Sequence, residues 1–463
     1  MAAIITSKFR IHNAQSFKEG FSESAATNMY LGIGRPQAWT NDNSPDTPKD
    51  AVAEEYYYWD DMLALKRVQS SDVSHAVPRR NWTSGKYYDI YRHDYNGSTA
   101  GVNIDTGGST TPATLFDANF FVVTDEYNVY KCLDNRGTTN NVVASTVKPT
   151  GSSTSPITTA DGYVWKYMYT ISPADVIKFV STDFIPVKTL GSNPGSTDAY
   201  YDQWLVESAA VDGSINSVLV TSGGTGYTSA PSVNINGDGT GATATATIDI
   251  GSGAVTAITI TNAGTGYTYA SVGISGGGGA SAAATAMITP KGGHGSDPVE
   301  ELGGFYIMMN VRLEYDDGSG DFPVDNDYRR IMLVRDPYNY GTTTVSTAST
   351  VKATKELTVS GVTGTFTQDE TITGGTSGAV GRITTVDGST IRYIQLRTDN
   401  TTGASFSLTE TITGGSSGAT GTVATKTNPE VQPDSGDVIY VENRRPINRA
   451  DDQIEDIKII VEM

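Results

Sequence analysis

Ser217-Val-Leu-Val-Thr-Ser-Gly-Gly-Thr-Gly-Tyr227 returns forty residues later as Ala257-Ile-Thr-Ile-Thr-Asn-Ala-Gly-Thr-Gly-Tyr267. In each copy β-branched residues alternate with small polar ones, the period of a strand with one buried face. Gly-Thr-Gly-Tyr reads as a turn whose glycines take positive φ. A second alternating strand follows, and a Gly-Ala-Thr tract closes each unit, Gly241-Ala-Thr-Ala-Thr-Ala-Thr-Ile248 and Gly279-Ala-Ser-Ala-Ala-Ala-Thr-Ala286. Strand–turn–strand at a fixed period predicts paired or stacked β-units. Residues 214–288 carry only two charges, Asp238 and Asp249.

A second repeat has the same spacing and a different motif. Phe366-Thr-Gln-Asp-Glu-Thr-Ile-Thr-Gly-Gly-Thr-Ser-Gly-Ala-Val-Gly381 recurs as Phe406-Ser-Leu-Thr-Glu-Thr-Ile-Thr-Gly-Gly-Ser-Ser-Gly-Ala-Thr-Gly421. The sequence around both repeats has ordinary composition. It predicts a body in three segments, 1–205, 289–350 and 427–463, with β-repeat modules inserted at 206–288 and 351–426; insertion between ends already held close costs little loop entropy.

Within the body, Thr47-Pro48-Lys49-Asp50 followed by Val52, Tyr56, Trp59 and Leu63 at helical spacing predicts a helix over 48–67. A second helix is expected over Phe9–Phe21. Strands are expected at 120–124, 129–133, 163–169, 304–311, 328–334 and 456–461, with Tyr163, Trp165, Tyr167 and Tyr169 on one face. The fold class is therefore mainly β with some α (α+β): a β-sandwich-like body carrying two β-repeat modules.

The chain has 463 residues, 37% hydrophobic and 18% charged, with 50 Gly and 25 Tyr, which fits a globular, turn-rich β protein. A net charge of −19 opposes phosphate, and Arg79–Arg80 is too small a basic site for a nucleic-acid track, so no nucleic-acid partner is expected. Cys132 is the single cysteine, which excludes an intrachain disulfide and fits folding in a reducing cytoplasm. Met1–Arg10 does not read as a secretory leader, and no apolar run reaches the ~18 residues of a membrane span.

Little in the sequence points to chemistry. His12, His75, His93 and His294 show no metal-ligand spacing. Cys132 lies in an apolar strand and reads as a buried, inert thiol. No P-loop is present, and the glycine clusters sit between strands rather than before helices. Glu54–Glu55, Asp60–Asp61, Asp451–Asp452 and Glu455–Asp456 read as solvated acids rather than a glycosidase pair. The oxygen-rich stretches 316–327 and 236–241 lack EF-hand spacing and read as surface turns. No catalytic residue, metal or cofactor is expected. Val77-Pro-Arg-Arg-Asn-Trp82 joins a fixed turn to Arg79, Arg80 and Trp82, residue types favoured as interface anchors. Interface and internal brace both remain open for it.

Ordered short motifs then point to a family. Ile5-Thr-Ser-Lys-Phe-Arg10, Ala76-Val-Pro-Arg-Arg-Asn-Trp82 with the Tyr-rich 87–95, Tyr130-Lys-Cys-Leu-Asp134, Asp161-Gly-Tyr-Val-Trp-Lys-Tyr167, Asp327-Tyr-Arg-Arg-Ile331 with Asp336-Pro337, and Tyr440-Val-Glu-Asn-Arg-Arg-Pro-Ile447 run in order through the three body segments. Together they resemble the baseplate wedge subunit family of T-even-like, contractile-tailed phages, the eighth-gene product. The two repeats depart from that family. The resemblance implies a β-dominated homodimer in the virion tail baseplate, assembled in the host cytoplasm beside other wedge proteins and without catalytic residues. It adds Glu442, Asn443, Arg444 and Arg445 to the interface or structural candidates. The alternative is a tail protein that binds a receptor or host glycan through its repeats.

Overall fold

The computed structural model describes residues 3–23, 27–95, 114–136, 143–314, 322–324, 326–397, 404–450 and 453–463. The chain is mainly β with some α. It divides into two compact units: residues 1–16, 74–308 and 460–463 form the first, and 17–73 with 309–459 the second.

In the first unit, antiparallel strands lie in the order Phe121–Val123, Asn128–Asp134, Val164–Thr170 and Ile157–Thr158. Alternation along the strands sends side chains to both faces, and both faces are covered. Phe121, Val123, Val129 and Leu133 enter a core with Ile11, Ile185 and Leu302. Val122, Tyr130, Cys132, Trp165 and Tyr167 enter another with Tyr88 and Val206. The expected four-aromatic face holds only for Tyr163, Trp165 and Tyr167. The register jumps from Val129↔Tyr169 to Tyr130↔Tyr167, so Met168 is an extra, bulged residue. The phase flips there, and Met168 and Tyr169 both join the opposite core.

The first repeat builds one six-stranded sheet in the order Ala270–Ser275, Ser232–Gly237, Thr240–Asp249, Ala254–Thr265, Ile215–Thr225 and Ala280–Ile288. Its copies are paired by exchange. The Tyr227 N–H donates to the Gly253 carbonyl and the Tyr267 N–H to the Gly213 carbonyl, each at 2.9 Å. Both tyrosine rings are buried with Val218, Val220, Val255 and Ile258. The Gly-Thr-Gly segment is not a turn, contrary to expectation: the strands pair on through Thr225 and Thr265, because Ala280 and Thr240 remain opposite them. The positive φ is real, +63° at both Gly224 and Gly264. A Cβ there would lie 2.3 Å from the Ala280 oxygen and 2.5 Å from that of Thr240.

In the second unit, five antiparallel strands run in the order Thr350–Lys352, Met62–Arg67, Met29–Gly34, Asp327–Arg335 and Asp437–Asn448. The helix expected over 48–67 is only Val52–Asp60, and Met62–Arg67 is a strand. Its Met-Leu-Ala-Leu run is claimed by pairing with Met29–Gly34 on one side and Thr350–Lys352 on the other, which overrides helical spacing. Pro48 does not open the helix. Tyr58 holds the preceding segment back along it, its hydroxyl donating to the Lys49 carbonyl at 2.8 Å.

The second repeat closes into a barrel of Lys355–Thr363, Thr390–Gln395, Val380–Asp387, Thr371–Gly374, Thr411–Gly414 and Thr420–Thr427. Here too the copies exchange. Glu370 accepts from the backbone N–H and hydroxyl of both Ser416 and Ser417, and Glu410 accepts from the N–H of Thr376 and from both groups of Ser377. Each motif glutamate thus satisfies the Gly-Gly turn of the other copy. Burial raises the Glu370 carboxyl, but these donors outweigh it and hold it at about 2. Glu410 is also held low, burial being outweighed by the N–H groups of Ser377 and Ser407.

Both pKa values lie below the unfolded value near ~4.3, so this stabilisation is complete above that pH and is lost as pH falls toward about 2. Acid melts should show the wild-type protein losing stability between about pH 4.5 and 2. Glu370→Gln/Glu410→Gln should be less stable at pH 7 by ~2 kcal/mol or more and should show a flatter acid limb. Gly264→Ala should also lower Tm, by strain at positive φ plus the backbone clash, for ~2 kcal/mol or more.

Candidate functional site

The Arg-Arg-Asn-Trp segment follows the strand Val73–Pro78 and lies along the sheet edge. The Val123 N–H donates to the Arg80 carbonyl and the Trp82 N–H to the Val123 carbonyl, at 2.7 and 2.9 Å. The two arginines then part. Arg80 turns inward: its guanidinium donates to the carbonyls of Ala118 and Phe116 and lies 4.7 Å from the Phe121 ring centroid. Burial pulls its pKa down to about 10. Arg80 is an internal brace. Trp82 is half-buried, and its indole N–H donates to Ser145 Oγ at 3.1 Å. Ser145 is held in turn by Asp161, whose carboxylate also accepts from the N–H groups of Thr146 and Val147. Burial raises Asp161, but its hydrogen bonds, first that of Thr159, bring it below the usual carboxylate range.

Arg79 stays at the surface. Its guanidinium donates to Asn81 Oδ1 and the Ser181 carbonyl, both at 2.9 Å. Both acceptors are neutral, and among the described residues Arg79 forms no ion pair. It lines a groove of about 600 Å³ with Trp82, Thr124, Tyr127 and Lys148. Lys148 is neutralised there by Asp125 and Glu126. Two carboxylates face one ammonium there, so the local charges balance, while Arg79 itself is held beside an indole and a phenol by neutral acceptors alone among the described residues.

The tail motif lies in the second unit and is mostly structural. Asn443 stands opposite Arg330 in the sheet, accepts from its Nε at 2.9 Å and donates to the Asp46 carbonyl at 2.7 Å. Glu442 accepts from the Tyr440 hydroxyl and from Arg444 Nε. The Arg444 carbonyl accepts from the Trp39 indole. Arg445 is exposed and forms no ion pair with a described residue. So the two motif segments Asp327–Ile331 and Tyr440–Ile447 lie on neighbouring strands.

The acids Asp60–Asp61 are not a solvated pair. Asp61 is buried and accepts from Arg330 Nη1 at 2.7 Å and Gln37 Nε2 at 2.7 Å, with Arg35 Nη1 at 3.5 Å. Arg35 stacks 3.7 Å from the Trp39 ring centroid. Arg329, also buried, grips Asp42 at 3.0 and 3.1 Å. Sequence reasoning missed this network. Its only signal was two adjacent arginines inside an apolar strand, which must both find acceptors if both strand faces are covered. A second missed cluster lies in the first unit, where Lys131 and Glu301 pair beside His294 with side chains 0, 2 and 4% exposed.

Asp238 is spent on the N–H groups of Thr268 and Tyr269, and Asp249 on Gly251 and Ser252, so both 236–241 and its neighbour are closed turns. Most of 316–327, and Asp451–Asp452, lie outside the described residues. No group of three or more metal-ligating side chains occurs among the described residues. Cys132 is buried, and burial pushes its thiol well up.

Residues 3–147 match the family described as Bacteriophage T4, Gp8. Over 212 residues the chain is 26% identical to the baseplate wedge protein gp8 of Enterobacteria phage T4, covering 40% of this chain. The chain is thus similar to a T4 baseplate wedge protein over part of its length. It spans about 60% of the length of that T4 protein. The matched 3–147 region holds Arg79, most of the groove lining and the strand Asn128–Asp134.

Replacing Arg330 by Met should leave Asp61 buried with a weaker set of partners. The expected loss is ~3 kcal/mol or more in denaturant unfolding, whereas exposed Arg445→Ala should change stability by less than ~0.5 kcal/mol.

Proposed function

We propose that the chain is a non-catalytic structural subunit of a contractile phage tail baseplate wedge. The observation that carries this is the pairing of the family match over 3–147 with an Arg79 held by neutral acceptors alone among the described residues, in an aromatic groove lined mostly by that region. On this reading the protein is a homodimer in the virion tail, assembled in the host cytoplasm, that docks other wedge proteins in order. It moves as a rigid body when the tail contracts. Residues 206–288 and 351–426 are modules added to the wedge body. Arg79 and Trp82 form the docking anchor, Arg445 is a second exposed contact, and Arg80, Glu442, Asn443 and Arg444 hold the surface in place.

Light scattering of the purified protein and co-expression with the other wedge proteins test this. A dimer that joins wedge partners is expected, with Arg79→Glu weakening that joining at least tenfold at unchanged Tm. A stable monomer that binds none of them would overturn the reading. The glycan-binding alternative rests on one feature, an uncharged, hydroxyl-rich outer face on the first repeat, where Thr243 and Thr261 hydroxyls meet at 2.7 Å and Thr245 pairs with Thr259. Thr245→Arg/Thr259→Arg distinguishes the two: lost host adsorption with intact tails favours glycan binding.

A further inference from the structure

The Lys131–Glu301 pair is arranged for more than an ion pair. Lys131 sits mid-strand in Asn128–Asp134, on the face of Val129 and Leu133, and is fully buried. Its amine meets one carboxylate among the described residues, Oε2 of Glu301. The other oxygen, Oε1, accepts from the N–H groups of Gly295 and Asp297 at 2.7 and 3.2 Å. Two backbone donors on one carboxyl oxygen form an oxyanion hole for addition at that carbon. His294 Nδ1 lies 3.9 Å from Oε2, is buried and has no hydrogen-bond partner among the described residues. Its ring is fixed edge-on against Tyr91, with centroids 4.8 Å apart.

We propose that Lys131 and Glu301 condense into an intramolecular amide during maturation of the fold. Proton transfer within the contact gives the uncharged amine and acid without changing net charge. Nζ adds to Cδ of Glu301, and the developing negative oxygen, Oε1, is held by Gly295 and Asp297. One proton passes from Nζ to the departing Oε2 hydroxyl, carried by His294. The Cδ–Oε2 bond breaks and one water leaves. No oxidant, reductant or further reactant is consumed.

Burial favours this outcome. An ion pair stripped of water is costly, while an amide is neutral and the released water returns to bulk. Lys166 stands opposite Lys131 on the next strand, and its charge opposes a second ammonium beside it. Burial pulls the Lys131 amine down, toward the nucleophilic form. Burial, Lys131 and Lys166 together hold His294 neutral, at about 3, so it can accept a proton. Burial raises Glu301, yet Lys131 outweighs that and keeps it at about 2, so the carboxylate is the resting form and the step is slow, single-turnover chemistry.

The bond would join residues 170 positions apart and enclose the whole first repeat. The test is the denatured intact mass of the folded full-length protein, corrected for N-terminal processing, with peptide mapping. The expected mass is about 18 Da below that of the sequence, one water, with a branched peptide joining Lys131 to Glu301. Lys131→Arg should restore the full mass. Wild-type protein at full sequence mass, with both peptides linear, overturns the proposal. So does a deficit that persists in Lys131→Arg.

Discussion

A sheet covered on both faces has no wet side on which to place a charge. That constraint governs both units. In the first, Lys131 and Lys166 sit opposite each other on strands between two hydrophobic cores, so each must find an acceptor inside: Glu301 for one, the Thr154 carbonyl for the other. In the second, Arg329 and Arg330 lie on a strand of the same kind and reach Asp42 and Asp61. Exposed ion pairs contribute little, whereas a buried charge with its partner removed costs several kcal/mol. The positions of the end of the helix Val52–Asp60, the helix Pro298–Leu302 and the segment 35–42 are therefore fixed by the acceptors Asp61, Glu301 and Asp42 that they supply as much as by apolar packing.

Much of the fold was legible in the sequence. Alternation and the repeats announced the strands. What was not legible depends on pairing. Met62–Arg67 fits a helix by spacing and becomes a strand because two neighbours claim its backbone. Tyr169 leaves the aromatic face because one bulged residue, Met168, shifts the phase. The short helices at Pro173–Phe179 and Pro298–Leu302 did carry readable signals, a capping Ser172 and Asp297 each followed by proline.

The candidate surface was legible only as a composition of residues. Arg79 and Arg80 are adjacent and chemically identical, and nothing local separates them. The turn after Pro78 sends one guanidinium to the carbonyls of Phe116 and Ala118 and leaves the other at the groove. The same applies to Glu442–Arg445, where Arg445 is left exposed without an ionic partner among the described residues. Adjacent acids misled for the converse reason: Asp61 looked like surface because its buried arginine partner lies far away in sequence.

In both repeats the copies complete each other. Tyr227 leans on Gly253 and Tyr267 on Gly213; Glu370 serves Ser417 and Glu410 serves Ser377. A single copy is thus half a structure, with an unmet carboxylate or an unmet turn. Tandem copies of similar sequence invite unequal recombination, which deletes or adds one period at a time. Here the loss of one forty-residue period would leave the surviving copy with its partner's groups unmet, so a stable deletion has to remove both copies together.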